Sequence, residues 1–247
     1  MNQGGFRNIR LRLEYDGTAF SGWQYQPGRR TVQGVLEEKL GELLEEKVSL
    51  IGAGRTDAGV HALGQVANFK TSRGLPLRAF VPGLNRLLPS DIAVLEAQEV
   101  ALDFHSRFHA KRRCYRYQLI TNRSPLRERY AWYVRYRLDV GVLTRSAAKI
   151  IGRHDFTSFS SSQAEAESFL VNVSKAGWKQ KGDSLTFEIE ADRFLHNMVR
   201  ILVGTMVDMA RGKLNPGDLS AILKARDRRR AGRTAPPQGL FLVRVSY

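Results

Sequence analysis

The sequence predicts an α+β protein built as two halves of similar plan, each a split β-α-β unit with strands and helices interleaved. Three observations carry this. Several short segments alternate apolar and polar residues with period two, which marks strands with one buried face. Between them lie apolar stripes at helical spacing, some with a capping residue in front. The same order of segments then recurs in the second half, although the residues themselves do not repeat.

In the first half, Ile9, Leu11, Leu13 and Tyr15 alternate with Asn8, Arg10, Arg12 and Glu14, a strand broken by the turn pair Asp16-Gly17. Thr31 is placed to cap a helix from Val32, whose stripe is Val32, Val35, Leu36, Leu40, Leu43 and Leu44, with Glu37, Glu38, Glu42 and Glu45 opposite. Strands are expected at 48–51, 65–70 and 92–100, and a helix at 76–88 despite Pro82. In the second half, 113–120 alternates as a strand and 142–151 suits a helix. Residues 171–178 and 184–190 form a hairpin across Lys181-Gly182-Asp183. Leu195, Met198, Val199, Leu202, Val203 and Met206 fall on one helical stripe, closed by Gly212. Pro216-Gly217-Asp218 opens a further helix, and 240–245 ends the chain as a strand. The halves join near 101–112, so the expected domains are 1–105 and 106–247. Residues 153–168 are the least patterned and read as a long functional loop.

Composition narrows the function. The chain has 247 residues, 43% of them hydrophobic, enough for a substantial core. Lys and Arg total 39 against 24 acidic residues, a net charge of +15 that favours a polyanionic partner. One cysteine, Cys114, excludes an internal disulfide and a multi-cysteine zinc cluster. His105 and His109 stand four apart, but without the glutamate of a zinc-protease helix, so no metal is expected. No apolar run approaches the length of a membrane span, and the first ten residues lack a secretory hydrophobic region. A cytoplasmic protein is the expectation.

The sharpest local feature is Gly52-Ala53-Gly54-Arg55-Thr56-Asp57-Ala58-Gly59-Val60-His61. Its glycines permit tight turns, yet it is not a phosphate cradle. A dinucleotide fingerprint needs glycine where Asp57 stands, and a P-loop needs Gly-Lys-Ser/Thr. Asp57 reads either as a turn former bonding its own backbone or as a chemical carboxylate with Arg55 two residues away. Tyr115 and Tyr117 share one face of a strand by alternation, with Lys111, Arg113 and Arg116 on or near the other. They are either core rings or a platform for an unpaired base. Arg200, four residues after His196, is either solvated or paired with a carboxylate. Trp23 reads as a packing residue. The run Arg228-Arg229-Arg230 is either a solvated helix face or a contact for RNA phosphate.

Together these segments resemble the tRNA pseudouridine synthase A family. Its catalytic signature is matched by Gly54-Arg55-Thr56-Asp57-Ala58-Gly59-Val60-His61-Ala62, and its N-terminal motif by Tyr15-Asp16-Gly17, Phe20, Gly22-Trp23-Gln24 and Gln26. Phe104-His105, Arg107-Phe108, Arg113, Tyr115, Tyr117, His154-Asp155-Phe156, Met198-Val199-Arg200 and Ala235-Pro236-Pro237 follow in order. Ser106 and Arg86 depart from the usual alanines, and the segment before Ala235 is unusually basic.

The resemblance implies a homodimer that isomerises uridine at positions 38 to 40 of the tRNA anticodon stem-loop, without metal or organic cofactor. It implies two ferredoxin- or RRM-like halves forming a continuous, mixed, mostly antiparallel sheet with a basic RNA-binding cleft. It assigns Asp57 as the catalytic aspartate, Tyr115 against the target uracil, Arg200 as partner of the carboxylate, and Leu240 as an apolar wall. Arg55 is placed to steady the RNA or to replace the flipped base. A non-catalytic basic RNA-binding module is the alternative, and a nucleotide-dependent enzyme using the glycine-rich loop is a weaker one.

Overall fold

The computed structural model describes residues 5–161, 168–215 and 217–247. It is α+β throughout and divides into two compact units. One comprises the chain up to Lys111 together with Leu242–Tyr247; the other is Arg112–Phe241.

In the first unit, β1 (Arg7–Tyr15), β3 (His61–Thr71) and β4 (Ile92–Val100) form an antiparallel sheet with β1 in the middle. The two-residue β2 (Ile51–Gly52) pairs with β3, and the end of β10 (Leu240–Ser246) lies on the other side of β3. The alternation of β1 holds from Ile9 onward: Ile9, Leu11, Leu13 and Tyr15 are buried, while Arg10 and Arg12 reach Gln98 and Glu96; Asn8, expected on the polar face, is fully buried. Helix α1 (Val32–Leu44) starts where Thr31 accepts the Gly34 N–H, a cap worth about 1 kcal/mol. It buries Val32, Leu36, Leu40 and Leu44. Glu37 is not a solvent-face residue, since its carboxylate accepts from the Leu50 amide at 2.8 Å. Helix α2 (Leu77–Leu87) carries Pro82 within it.

Two boundaries differ from the sequence reading. The strand expected at 48–51 is reduced to β2, and β3 starts four residues earlier than expected, directly at the exit of the glycine-rich loop. Both faces of β3 are covered, so it lacks a polar alternation to announce it. Asn68 within it bonds the Asn8 side chain and the Ser106 amide, and Asn8 holds the Phe104 carbonyl. This buried amide pair fixes the 101–109 loop.

In the second unit, the sheet runs β5 (Arg112–Ile120), β9 (Ser184–Ala191), β8 (Leu170–Lys181), β7 (Gly152–Asp155), all antiparallel neighbours. The short β6 (Trp132–Tyr133) is parallel to β5. The hairpin turn is Gly182-Asp183, with Gly182 at φ +58°. Helices α3 (Val140–Ala148), α4 (Met198–Ala210) and α5 (Leu219–Ala225) complete it.

Helix α4 starts later than the apolar stripe, because Asn197 takes the left-handed conformation at φ +61°. Every residue of α4 except Arg200 is buried. Part of the stretch read as a long loop is instead β7 and a single 3-10 turn, Thr157–Phe159. The remainder, 162–167, lies outside the described residues, as does Pro216 of the expected helix start. The arginine run forms a 3-10 turn, Arg228–Arg230, and not a helix face. Among the described residues no helix is long and apolar enough to cross a membrane.

Candidate active site

The Asp57 loop is framed by main chain on both sides. At its entry, Ala53 N–H donates to Val66 O at 2.7 Å and Gln65 Nε2 donates to Gly54 O at 2.8 Å. In its middle, Trp23 N–H donates to Thr56 O at 3.0 Å. At its exit, Val60 N–H closes a turn onto Asp57 O at 3.1 Å, with Gly59 at φ +75°, where a type II turn requires positive φ. The closing bond of this turn is therefore main chain to main chain.

Close approach tightens the frame. A Cβ at Gly17 would stand 2.0 Å from Val60 O. A Cβ at Gly22, itself at φ +94°, would stand 2.8 Å from Thr56 O. The Gly17 amide also donates to His61 Nδ1 at 3.0 Å. The Asp16–Trp23 segment and the Asp57 loop thus lie against each other with no room for a side chain at Gly17 or Gly22.

Beneath the loop, Tyr15 Oη and Thr56 Oγ1 share a hydrogen bond of 2.8 Å. Burial pushes the Tyr15 hydroxyl up to about 12, against the opposing hydrogen bonds to Thr56 and Gln65. A neutral phenol is held there at any physiological pH. On this support Asp57 is half-buried and Arg55 is exposed. Trp23 packs as expected, 3% exposed, with its ring against Gly52 and 6.2 Å from Tyr15.

The other predicted residues lie in the second unit. Tyr115 and Tyr117 share the buried face of β5. The Tyr115 ring meets Phe194 edge-on at 4.9 Å, and Tyr117 Oη donates to Pro236 O at 2.7 Å. Burial raises the Tyr117 hydroxyl, with the Arg200 and Arg233 charges working against that rise. Arg113 corrects the expected segregation of charge. By alternation it lies on the tyrosine side, buried, donating to Asp192 O at 2.9 Å. Arg116 is on the other face with Glu188 at 2.9 Å.

Arg200 is held at the point where the 232–236 segment docks on α4. Its Nε donates to Ala235 O at 2.9 Å and its Nη1 to Asn197 Oδ1 at 2.7 Å. Gly204 makes this docking possible, since a Cβ there would stand 1.9 Å from Arg233 O. His196 precedes the helix, while Arg200 lies in its first turn. Leu240, 5% exposed, begins β10 next to Gly239, which abuts the Tyr117 ring. The second unit thus gathers Tyr117, Arg200 and the neighbour of Leu240, with Tyr115 two residues along the strand.

Sequence reasoning assigned no role to Tyr15, Gln65 or Thr56 under the loop. The available signal was a tyrosine ending an alternating strand and a glutamine at the start of the strand expected at 65–70. Among the described residues no group of three His, Cys, Asp or Glu side chains is arranged to hold a metal ion.

The model of the tRNA pseudouridine synthase family matches residues 13–109 and 146–247. The chain belongs to the tRNA pseudouridine synthase family. It is 48% identical over 244 residues to tRNA pseudouridine synthase A of Geobacter sp. strain M21, covering 98% of this chain and 99% of that protein. It is 46% identical to the synthase A of Acetivibrio thermocellus and 45% to that of Caldicellulosiruptor bescii, over 98% of this chain and all of each relative. Membership makes it an isomerase acting on tRNA uridine; Arg55, Asp57, Arg200 and Leu240 fall within the family match, and Tyr115 falls in the stretch 110–145 between its two parts.

Proposed function

We propose that this chain converts uridine to pseudouridine at positions 38, 39 and 40 of the tRNA anticodon stem-loop, with Asp57 as the catalytic carboxylate. The observation that carries the reading is the frame around the Asp57 loop. Main-chain bonds and glycine contacts fix the turn, so the loop's geometry does not need an aspartate at position 57 to bend the chain. In a family of uridine isomerases, a carboxylate presented in this way is suited to chemistry.

The reaction breaks the N1–C1′ bond, turns the uracil and rejoins C1′ to C5, after which the C5 proton leaves and N1 takes up a proton. No redox partner is required, and a carboxylate can act as nucleophile or base. Whether it attacks the ring, attacks C1′ or takes a ribose proton, it must begin ionised. A guanidinium favours that form, the role assigned here to Arg200. The uracil must leave its stack first, which costs a few kcal/mol at most in a bent, unpaired loop. Tyr115 is assigned to stack on the extruded base, Leu240 to wall its pocket, and Arg55 to steady the RNA or fill the vacated place. In this reading the domain 1–105 contributes the carboxylate and 106–247 contributes Tyr115, Arg200 and Leu240. The protein acts as a cytoplasmic homodimer, using neither metal nor organic cofactor.

The test is tritium release from tRNA labelled at uracil C5, with the modified positions mapped. Wild type should release label from positions 38 to 40, and Asp57→Ala and Asp57→Asn should release none while binding tRNA within a few fold. Tritium release by Asp57→Asn at the wild-type rate would remove Asp57 from the chemistry. Tight binding without turnover in wild type would leave a non-catalytic RNA-binding protein.

A further inference from the structure

The segment after β6 builds a second cationic and aromatic feature, lined by Trp132, Tyr133, Val134, Arg135, Tyr136 and Arg233 around a cavity of about 190 Å³. None of Tyr115, Arg200 or Leu240 lines it. Its backbone is pinned at both ends: Val134 N–H donates to Ile120 O at 2.9 Å, and Asp139 N–H to Ala210 O at 3.0 Å. The side chains therefore project from a fixed segment and not from a free loop.

A buried carboxylate organises the cations. Asp208, 2% exposed on α4, lies 2.8 Å from Arg211 Nη2 and 3.7 Å from Arg233 Nε. Those two arginines reach the aromatic rings of the groove. Arg233 lies 4.5 Å from the Trp132 ring centre and Arg211 4.9 Å from that of Tyr136. Arg135 lies 5.2 Å from the same Tyr136 ring. Tyr136 is 37% exposed, and both Arg135 and Arg233 reach solvent.

Guanidiniums thus lie within about 5 Å of both the Trp132 and the Tyr136 ring, and bases stack on rings and on guanidiniums alike. The cavity is smaller than the 300–1,000 Å³ usual for a small-molecule site, so it fits one ring or one phosphate. An apolar protein partner is disfavoured, because two exposed arginines in the lining would lose water without gaining acceptors. A phosphodiester supplies those acceptors.

We infer that this groove is a subsite for one unpaired nucleotide of the RNA substrate, the base stacking on Tyr136 and the phosphate lying between Arg135 and Arg233. The inference rests on the reading of the chain as a tRNA-modifying enzyme. Asp208 takes no part in contact and acts by holding Arg211 and Arg233 against their rings.

The experiment measures Kd for a tRNA transcript at several salt concentrations, turnover at saturating tRNA, melting temperature and oligomeric state. It compares wild type with Tyr136→Ala, Tyr136→Phe and Arg135→Gln. Tyr136→Ala should weaken binding about tenfold, as loss of one stacked base does. Tyr136→Phe should bind as wild type. Arg135→Gln should weaken binding and lower the salt slope by about one. Turnover at saturation and melting temperature should not move. Wild-type Kd in both Tyr136→Ala and Arg135→Gln overturns the inference. So does weakened binding that coincides with a wild-type dimer becoming monomeric, which assigns the surface to a second copy of the chain. If wild type itself fails to modify tRNA, the functional reading falls, and the Kd comparison still decides whether the groove binds RNA.

Discussion

The Asp57 loop and the Trp132–Tyr136 groove hold polar groups in place by opposite means. The loop is framed by main-chain hydrogen bonds and by glycines that let two segments touch, with a neutral phenol beneath. The groove is held by side chains, with one buried aspartate gathering two arginines onto two rings. A backbone frame has few soft degrees of freedom and fixes position tightly, as reacting atoms require. Long side chains on a fixed segment keep rotamer freedom, which suits a contact that must adapt to RNA. Damage to the frame should therefore appear in kcat, and damage to the groove in affinity.

The sharpest way to break this contrast is Gly17→Ala. The added methyl stands 2.0 Å from Val60 O, so either β1's exit or the Asp57 turn must move. Overpacking against a fixed backbone costs about 3 kcal/mol or more. The expected result is a large fall in melting temperature and a fall in kcat greater than any change in tRNA Kd, read by thermal unfolding and single-turnover kinetics. Wild-type kcat in a folded Gly17→Ala protein would show that the frame does not position the carboxylate.

A smaller effect is expected from Asp208→Asn, which keeps shape and removes charge. The charge-assisted bond to Arg211 and the ion pair with Arg233 are weakened, costing about 2 kcal/mol. Arg211 and Arg233 should then leave their rings, so tRNA Kd should rise several-fold while kcat at saturation stays within about twofold of wild type. A kcat loss exceeding the Kd change would place Asp208 in the same functional class as the loop.

Legibility in the sequence follows the same division. β1, α1, β4 and the β8–β9 hairpin are set by local signals: alternation, the Thr31 cap, and a glycine turn. Asp57, too, stands out, because three glycines in eight residues isolate one carboxylate. The start of β3 was hidden because both its faces are covered, and β7 because Gly-Arg-His-Asp carries no apolar alternation. The late start of α4 depends on the left-handed Asn197, which no periodicity records. The groove was illegible because Arg211 and Arg233 come from far along the chain. Its trace in α4 was Asp208, a carboxylate in the largely apolar run 201–210.

The mildest test asks how far the frame depends on the phenol below it. Tyr15→Phe removes the bond to Thr56 and nothing of the main chain, so the neutral-pH cost should be about 1 kcal/mol, with kcat nearly unchanged. Its alkaline behaviour is the more informative reading. The Tyr15 pKa is raised from 10.0 to about 12 by burial. Below pH 10 the phenol keeps its proton in both folded and unfolded chains, and its stabilising contribution is complete. Between about 10 and 12 the unfolded chain ionises first, so stability falls by about 1.4 kcal/mol per pH unit. Above the folded pKa the loss is complete. Tyr117, also raised by burial, leaves part of this slope in any Tyr15 variant. Tyr15→Phe should therefore melt slightly lower than wild type at pH 7 and lose less stability from pH 9 to pH 11. Parallel curves would mean that the hydroxyl ionises without disturbing the fold, and that the loop is held by its backbone alone.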